Sequence, residues 1–149
     1  MKKRFIFFTL LLLTLIGGAN WNVLNAQETV TIGSGNTTYE YLPTVTTSST
    51  PLTQQIYTYD EINKTGTITH IAFKVAYGGD VARNFNVYME NIDGEKKSFG
   101  DGDKTFLVTS LVYSGEVVLK DESWVTIELK TPFVYDGGSV LLCINDYTD

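Results

Sequence analysis

The run ARNFNVYMEN, residues 82–91, alternates without a break: Phe85, Val87 and Met89 fall on one side, Asn84, Asn86, Tyr88 and Glu90 on the other. A period of two is the signature of a β-strand with one buried face, because successive side chains of an extended chain point to opposite faces. The same pattern recurs in TITHIAFKVAY (67–77), where Ile71, Phe73, Val75 and Tyr77 share a face, and in SWVTIELK (123–130), where Val125, Ile127 and Leu129 do. Three separate segments with this period point to an all-β fold.

Shorter strand candidates are TVTIG (29–33), TTYEYLP (37–43), QQIYT (54–58), FLVTSLVYSGEVVL (106–119), PFVY (132–135) and SVLLCI (139–144). Turn signals separate them: GSGN at Gly33, YGGD at Tyr77, IDGE at Ile92, GDGD at Gly100 and YDGG at Tyr135. No long helical pattern interrupts the series. Many short strands at this spacing predict an antiparallel β-sandwich of about eight strands. The low-complexity stretch TVTTSSTP (44–51) reads as a surface loop between two of them.

The N-terminus is of another kind. Lys2, Lys3 and Arg4 precede an apolar run over 5–16, then Gly17 and Gly18, and Ala26 offers a small residue ahead of Gln27. This is the pattern of a secretory signal peptide. The apolar core is shorter than the ~20 residues that span a bilayer, so the expectation is a leader over 1–26, cleaved on export, rather than an integral membrane protein. A module over 27–149 remains, within the usual size of one domain.

The whole chain carries a net charge of −6; without Lys2, Lys3 and Arg4 it keeps eight basic residues against 17 acidic, a net charge of −9. Nucleic acid and anionic membrane surfaces select positive patches, which argues against both as partners. Cys143 is the only cysteine, so no internal disulfide can form. Within SVLLCIND it reads as a buried, inert thiol.

Catalysis has a thin inventory. His70 is the only histidine, and alternation places it opposite Phe73, on the solvent side with Lys74. A hydrolytic triad needs a nucleophile, a base and an orienter converging, and the carboxylates are scattered over turns. The reading is that the chain is not an enzyme. Metal binding is the stronger alternative: Asp101 and Asp103 flank Gly102, and Asp93 stands at the near end of the same connection. Carboxylates in a glycine loop suit calcium. Asp-Gly is also the commonest hairpin turn pair, and the turn is the preferred reading, with no cofactor required.

Nine tyrosines, among them Tyr39, Tyr41, Tyr57, Tyr59 and Tyr88, could stack on sugars through their ring faces. Tyrosine is equally a favoured strand residue, so abundance does not mark a site. In LTQQIYTYDEI (52–62), alternation puts Gln55 and Tyr57 on one side and Ile56 on the other, and Thr58 with Glu61 three residues later forms a capping box for one helical turn.

Taken in order, QQIYTYDEI, GTITHIAFKV, RNFNVYMEN, LVYSGEVVL, WVTIELKTPFVYDGG and LLCINDYTD resemble the β-sandwich modules of large secreted bacterial surface proteins related to the gingipain and haemagglutinin cleaved-adhesin regions. The resemblance spans residues 29–149 and its residues are mainly scaffold. It implies a jelly-roll-like sandwich, secreted or displayed at the cell surface, that acts as a non-catalytic adhesin-type module for a host protein or glycan ligand. Two alternatives share that fold: an accessory carbohydrate-binding domain of a secreted protease or glycosidase, and a structural spacer. Such proteins continue into further modules. This chain stops at Asp149, so by the same resemblance either it is a fragment of a longer protein or the sandwich lacks its last strand.

Overall fold

The computed structural model describes residues 27–33, 43–44, 52–76, 80–100 and 108–148. Six strands and one helical turn follow one another: β1 (Leu52–Tyr57), α1 (Tyr59–Ile62), β2 (Gly66–Lys74), β3 (Val81–Ile92), β4 (Leu111–Leu119), β5 (Trp124–Tyr135) and β6 (Ser139–Asp146). All strand pairs are antiparallel. Sheet A has the order β1-β6-β3-β4 and sheet B pairs β2 with β5, giving a sandwich-like architecture.

The inner faces are the ones the alternation selects. Phe85, Val87 and Met89 from β3, Val117 and Leu119 from β4, and Val140, Leu142 and Ile144 from β6 form one core with Val125, Ile127 and Leu129 of β5. Ile71 and Phe73 of β2 and Val75 just beyond it pack against its margin, half-buried. β6 is different in kind: Val140, Leu141, Leu142, Cys143 and Ile144 are all buried, and both its edges are paired, with β1 and with β3. Its continuous apolar run is the form that a strand buried on both sides takes.

Among the described residues there are six strands, against an expected eight or so over the whole module. Residues 29–33 form no strand and are exposed, while the candidate at 37–43 falls almost wholly outside the described residues. The segments SWVTIELK and PFVY are one strand, β5, not two. Its 12 residues face only nine in β2; the register slips between Ile68 and His70, so that residues 129–132 of β5 oppose Thr69 alone. Pro132 lies in this bulge, where a residue without an N–H interrupts no ladder bond.

Turn chemistry closes the connections. Glu61 accepts hydrogen bonds from the Thr58 amide and hydroxyl, both at 2.8 Å, fixing α1 at its first turn. Asn63 ends it in the left-handed region at φ 52°, its N–H donating to the Tyr59 carbonyl. Between β5 and β6, the Tyr135 hydroxyl donates to the Gly138 carbonyl at 2.7 Å. Gly138 passes so near β3 that a Cβ there would sit 2.7 Å from the Ile92 carbonyl oxygen, so only glycine fits.

Candidate functional site

The most heavily bonded polar group among the described residues is Asp146, on the inward parity of β6 beyond Ile144. Its side chain is 0% exposed. Oδ2 accepts from Arg83 Nε at 2.7 Å and Nη2 at 2.6 Å, and from the Thr44 hydroxyl at 2.8 Å. Oδ1 accepts from the Thr148 amide at 3.0 Å and hydroxyl at 2.6 Å. Burial pushes this carboxyl up, but the hydrogen bonds from Thr148, Thr44 and Arg83 together hold it below the ordinary carboxylate range. The cluster is a clasp: Thr148 Oγ1 also accepts from the Asn84 amide, and Tyr147 N–H donates to the Asn84 carbonyl, tying the end of β6 to β3. It is saturated and closed, which suits architecture.

The residues singled out from the sequence are dispersed. Asp93 heads the turn after β3, its carboxylate accepting from the Glu95 amide at 3.0 Å and its carbonyl from Lys96 N–H at 2.9 Å; Asp101 and Asp103 lie outside the described residues. Among the described residues no three histidine, cysteine, aspartate or glutamate side chains gather as a metal-ligating group. Tyr57 points inward and packs on the core, its hydroxyl donating to Gln55; burial, and then the Glu61 carboxylate, push that phenol up. Tyr88 stands half-buried on the outer face of sheet A beside Cys143, Tyr59 is exposed on α1, and Tyr39 and Tyr41 are outside the described residues. No tyrosine platform forms from the described members of this set. Cys143 is buried and free; burial pushes its thiol up, with a partial offset from Gln54.

Two surfaces remain open, both built on β5. The first is a groove of about 590 Å³ between β4 and β5, walled by Tyr113 and Glu116 on one side and Glu128 and Lys130 on the other. β4 and β5 belong to different sheets, so no ladder closes the gap. Lys130 bridges it, donating to the Ser114 carbonyl and lying 5.2 Å from the Tyr113 ring centre. Gly115 leaves the room: at φ 155° its missing Cβ would come within 3.2 Å of the Tyr113 hydroxyl and 3.5 Å of Lys130 Nζ.

The second surface is the outward face of sheet B. Register sets Trp124 beside Lys74, Thr126 beside Ala72 and Glu128 beside His70, and all six are exposed. Trp124, 58% exposed, is the most open aromatic side chain among the described residues. His70 Nδ1 lies 3.1 Å from Gln27 Nε2 and 2.9 Å from the Thr69 hydroxyl. Nδ1 is thus engaged by both neighbours, and Nε2 is the ring nitrogen left to face outward. Sequence reading passed over Trp124 although a signal was there: it occupies the polar parity of β5, where alternation calls for a hydrophilic residue.

Comparison with protein-family models, with curated proteins and with solved structures finds no match for this chain.

Proposed function

We propose that the chain is a non-catalytic, exported binding module of adhesin type. One observation carries this reading. Along β5 the odd residues Val125, Ile127 and Leu129 build the core, while Trp124, Thr126, Glu128 and Lys130 stand in solvent, so a rigid strand presents a row of ligand-competent side chains. Sites on strands hold geometry better than sites on loops. The secretory leader pattern at 1–26 and the resemblance to cleaved-adhesin modules support the same reading, as does the acidic balance of 17 carboxylates to 11 basic residues, which disfavours nucleic acid. A jelly-roll form of the sandwich, with β6 central in sheet A, belongs to this proposal.

His70 supports a recognition role over a chemical one: its Nδ1 is engaged by Gln27 and Thr69, and it faces Glu128 across an open ribbon rather than within an enclosed pocket. The test is adhesion. Beads coated with the chain from Gln27 onward should bind immobilised mucin, fibronectin, laminin or collagen above an albumin control. Equal binding to albumin and to all four would favour the spacer reading instead.

A further inference from the structure

We propose that the outward face of β2 and β5, with Trp124 at one end, binds a neutral oligosaccharide. The inference rests on the binding-module reading and adds to it a place and a ligand class.

The face is one side of a two-stranded antiparallel ribbon. Side chains two apart along a strand stand ~7 Å from one another, and directly opposite ones about 5 Å. Trp124 and Lys74 occupy one end, Glu128 and His70 the other, with Thr126 and Ala72 between them. Ala72 is the smallest of the six, so the middle of the ribbon is a shallow trough. An indole more than half exposed at 58% supplies an apolar plane of the kind on which the C–H face of a pyranose ring rests, and its N–H stays free to donate at the edge.

The remaining groups match what sugar hydroxyls need, which is donors and acceptors at short intervals. Glu128 offers two acceptor oxygens, Thr126 a hydroxyl that does both, His70 its Nε2 and Lys74 an ammonium. Across these six residues Lys74 offsets Glu128, and the ammonium of Lys130, next on the same side of β5, is taken up by the Ser114 carbonyl. The chain as a whole is at −6 and repels acidic polysaccharides. Both facts select a neutral glycan.

A second copy of the chain is the competing occupant, and the composition speaks against it. The buried centre of a protein interface is depleted in charged residues, whereas this face carries Lys74 and Glu128 among its six residues.

The experiment uses a property of the sequence. The chain has two tryptophans, Trp21 and Trp124, so from Gln27 onward Trp124 is the sole indole and its fluorescence reports this face alone. Hexasaccharides of glucose, mannose, galactose and xylose are titrated in turn, with oligogalacturonate as an acidic control and calorimetry as a second readout. At least one neutral hexasaccharide should shift or quench the emission saturably. By calorimetry Trp124→Ala should weaken that binding by about tenfold or more, and Trp124→Phe should restore most of it. Circular dichroism of both variants should match the parent.

No response to any neutral probe overturns the proposal, as does binding that survives Trp124→Ala or a response to oligogalacturonate alone. Concentration-dependent dimerisation abolished by Trp124→Ala would assign the face to self-association instead. Bead adhesion separates the two levels: adhesion retained in Trp124→Ala without any glycan response sinks the glycan site and leaves the module reading intact, while neither adhesion nor response in the parent chain sinks both.

Discussion

Arg83 and Asp146 lie 63 residues apart and meet at the end of the core, two guanidinium nitrogens converging on one carboxylate oxygen at 2.7 and 2.6 Å. With side chains only 14% and 0% exposed, neither ion can recover its hydration if the other is removed. Breaking a buried pair from one side costs roughly 3–5 kcal/mol, because it strands a charge. Asp146→Asn, which keeps the shape and leaves Arg83 uncompensated, should therefore lower unfolding stability by about that amount in urea denaturation. A double change, Arg83→Met with Asp146→Leu, should cost less than Asp146→Asn alone, although Thr44 and Thr148 would lose their acceptor.

The same group sets a pH dependence. The Asp146 carboxyl titrates below its unfolded value of 3.8, so the unfolded chain takes up this proton first as the solution is acidified. Its stabilisation is complete above the unfolded value and is lost as the pH falls through the lower, folded value. Urea midpoints measured from pH 6 to pH 2 should drop in this acid window, and the drop should be shallower in Asp146→Asn.

Cys143 should be chemically silent in the folded chain. Its thiol is buried at the centre of sheet A, with burial pushing it away from the reactive thiolate. A chromogenic disulfide reagent at pH 8 should label it slowly in buffer and at once in concentrated urea, and the slow rate should follow the opening of sheet A.

Gly138 is a steric prediction. Any side chain there meets the Ile92 carbonyl oxygen at 2.7 Å, and this contact is backbone that cannot swing aside. Gly138→Ala should destabilise by roughly 1–3 kcal/mol, the usual cost of forcing atoms into a packed site. The thermal midpoint, read by circular dichroism, would show it.

At Asp93 the expected loss is that of a turn. Asp93→Ala removes the acceptor for the Glu95 amide and should cost about 0.5–1.5 kcal/mol, equally in calcium and in chelator. A loss seen only with calcium present would instead place Asp93 among metal ligands.

Much of the fold could be read from alternation, since the pleat fixes which side chains are buried once a strand is recognised. Phe85, Val87 and Met89, and Val125, Ile127 and Leu129, are inward as their parity requires. Sheet order could not be read, because pairing β6 between β1 and β3 depends on contacts far apart in sequence. β5 was divided at Pro132, a residue that ordinarily ends a strand and here marks a bulge. Tyr57 was correctly paired with Gln55 on one side of β1, but nothing local said that this side was the inner one.

The polar sites were missed for a reason that parity itself exposes. Arg83 shares its face with Phe85, Val87 and Met89, and Asp146 shares its own with Val140, Leu142 and Ile144. A charge on the apolar parity of a strand calls for a counter-charge on another, and two such strands in one chain could have been matched. Trp124 is the converse, an aromatic on the polar parity. Exceptions to the alternation, more than the alternation itself, carry the information about sites.

β6 is the last of the six strands to be synthesised and the one that joins β1 to β3. Until it arrives, β1 has no ladder partner and sheet A cannot assemble. A chain made from its N-terminus thus reaches its final strand with β1 and one edge of β3 still unpaired. The topology works as a timer: β1 and β3 are joined only once residues 139–146 have been made, so sheet A closes at the end of the strand series and not during it.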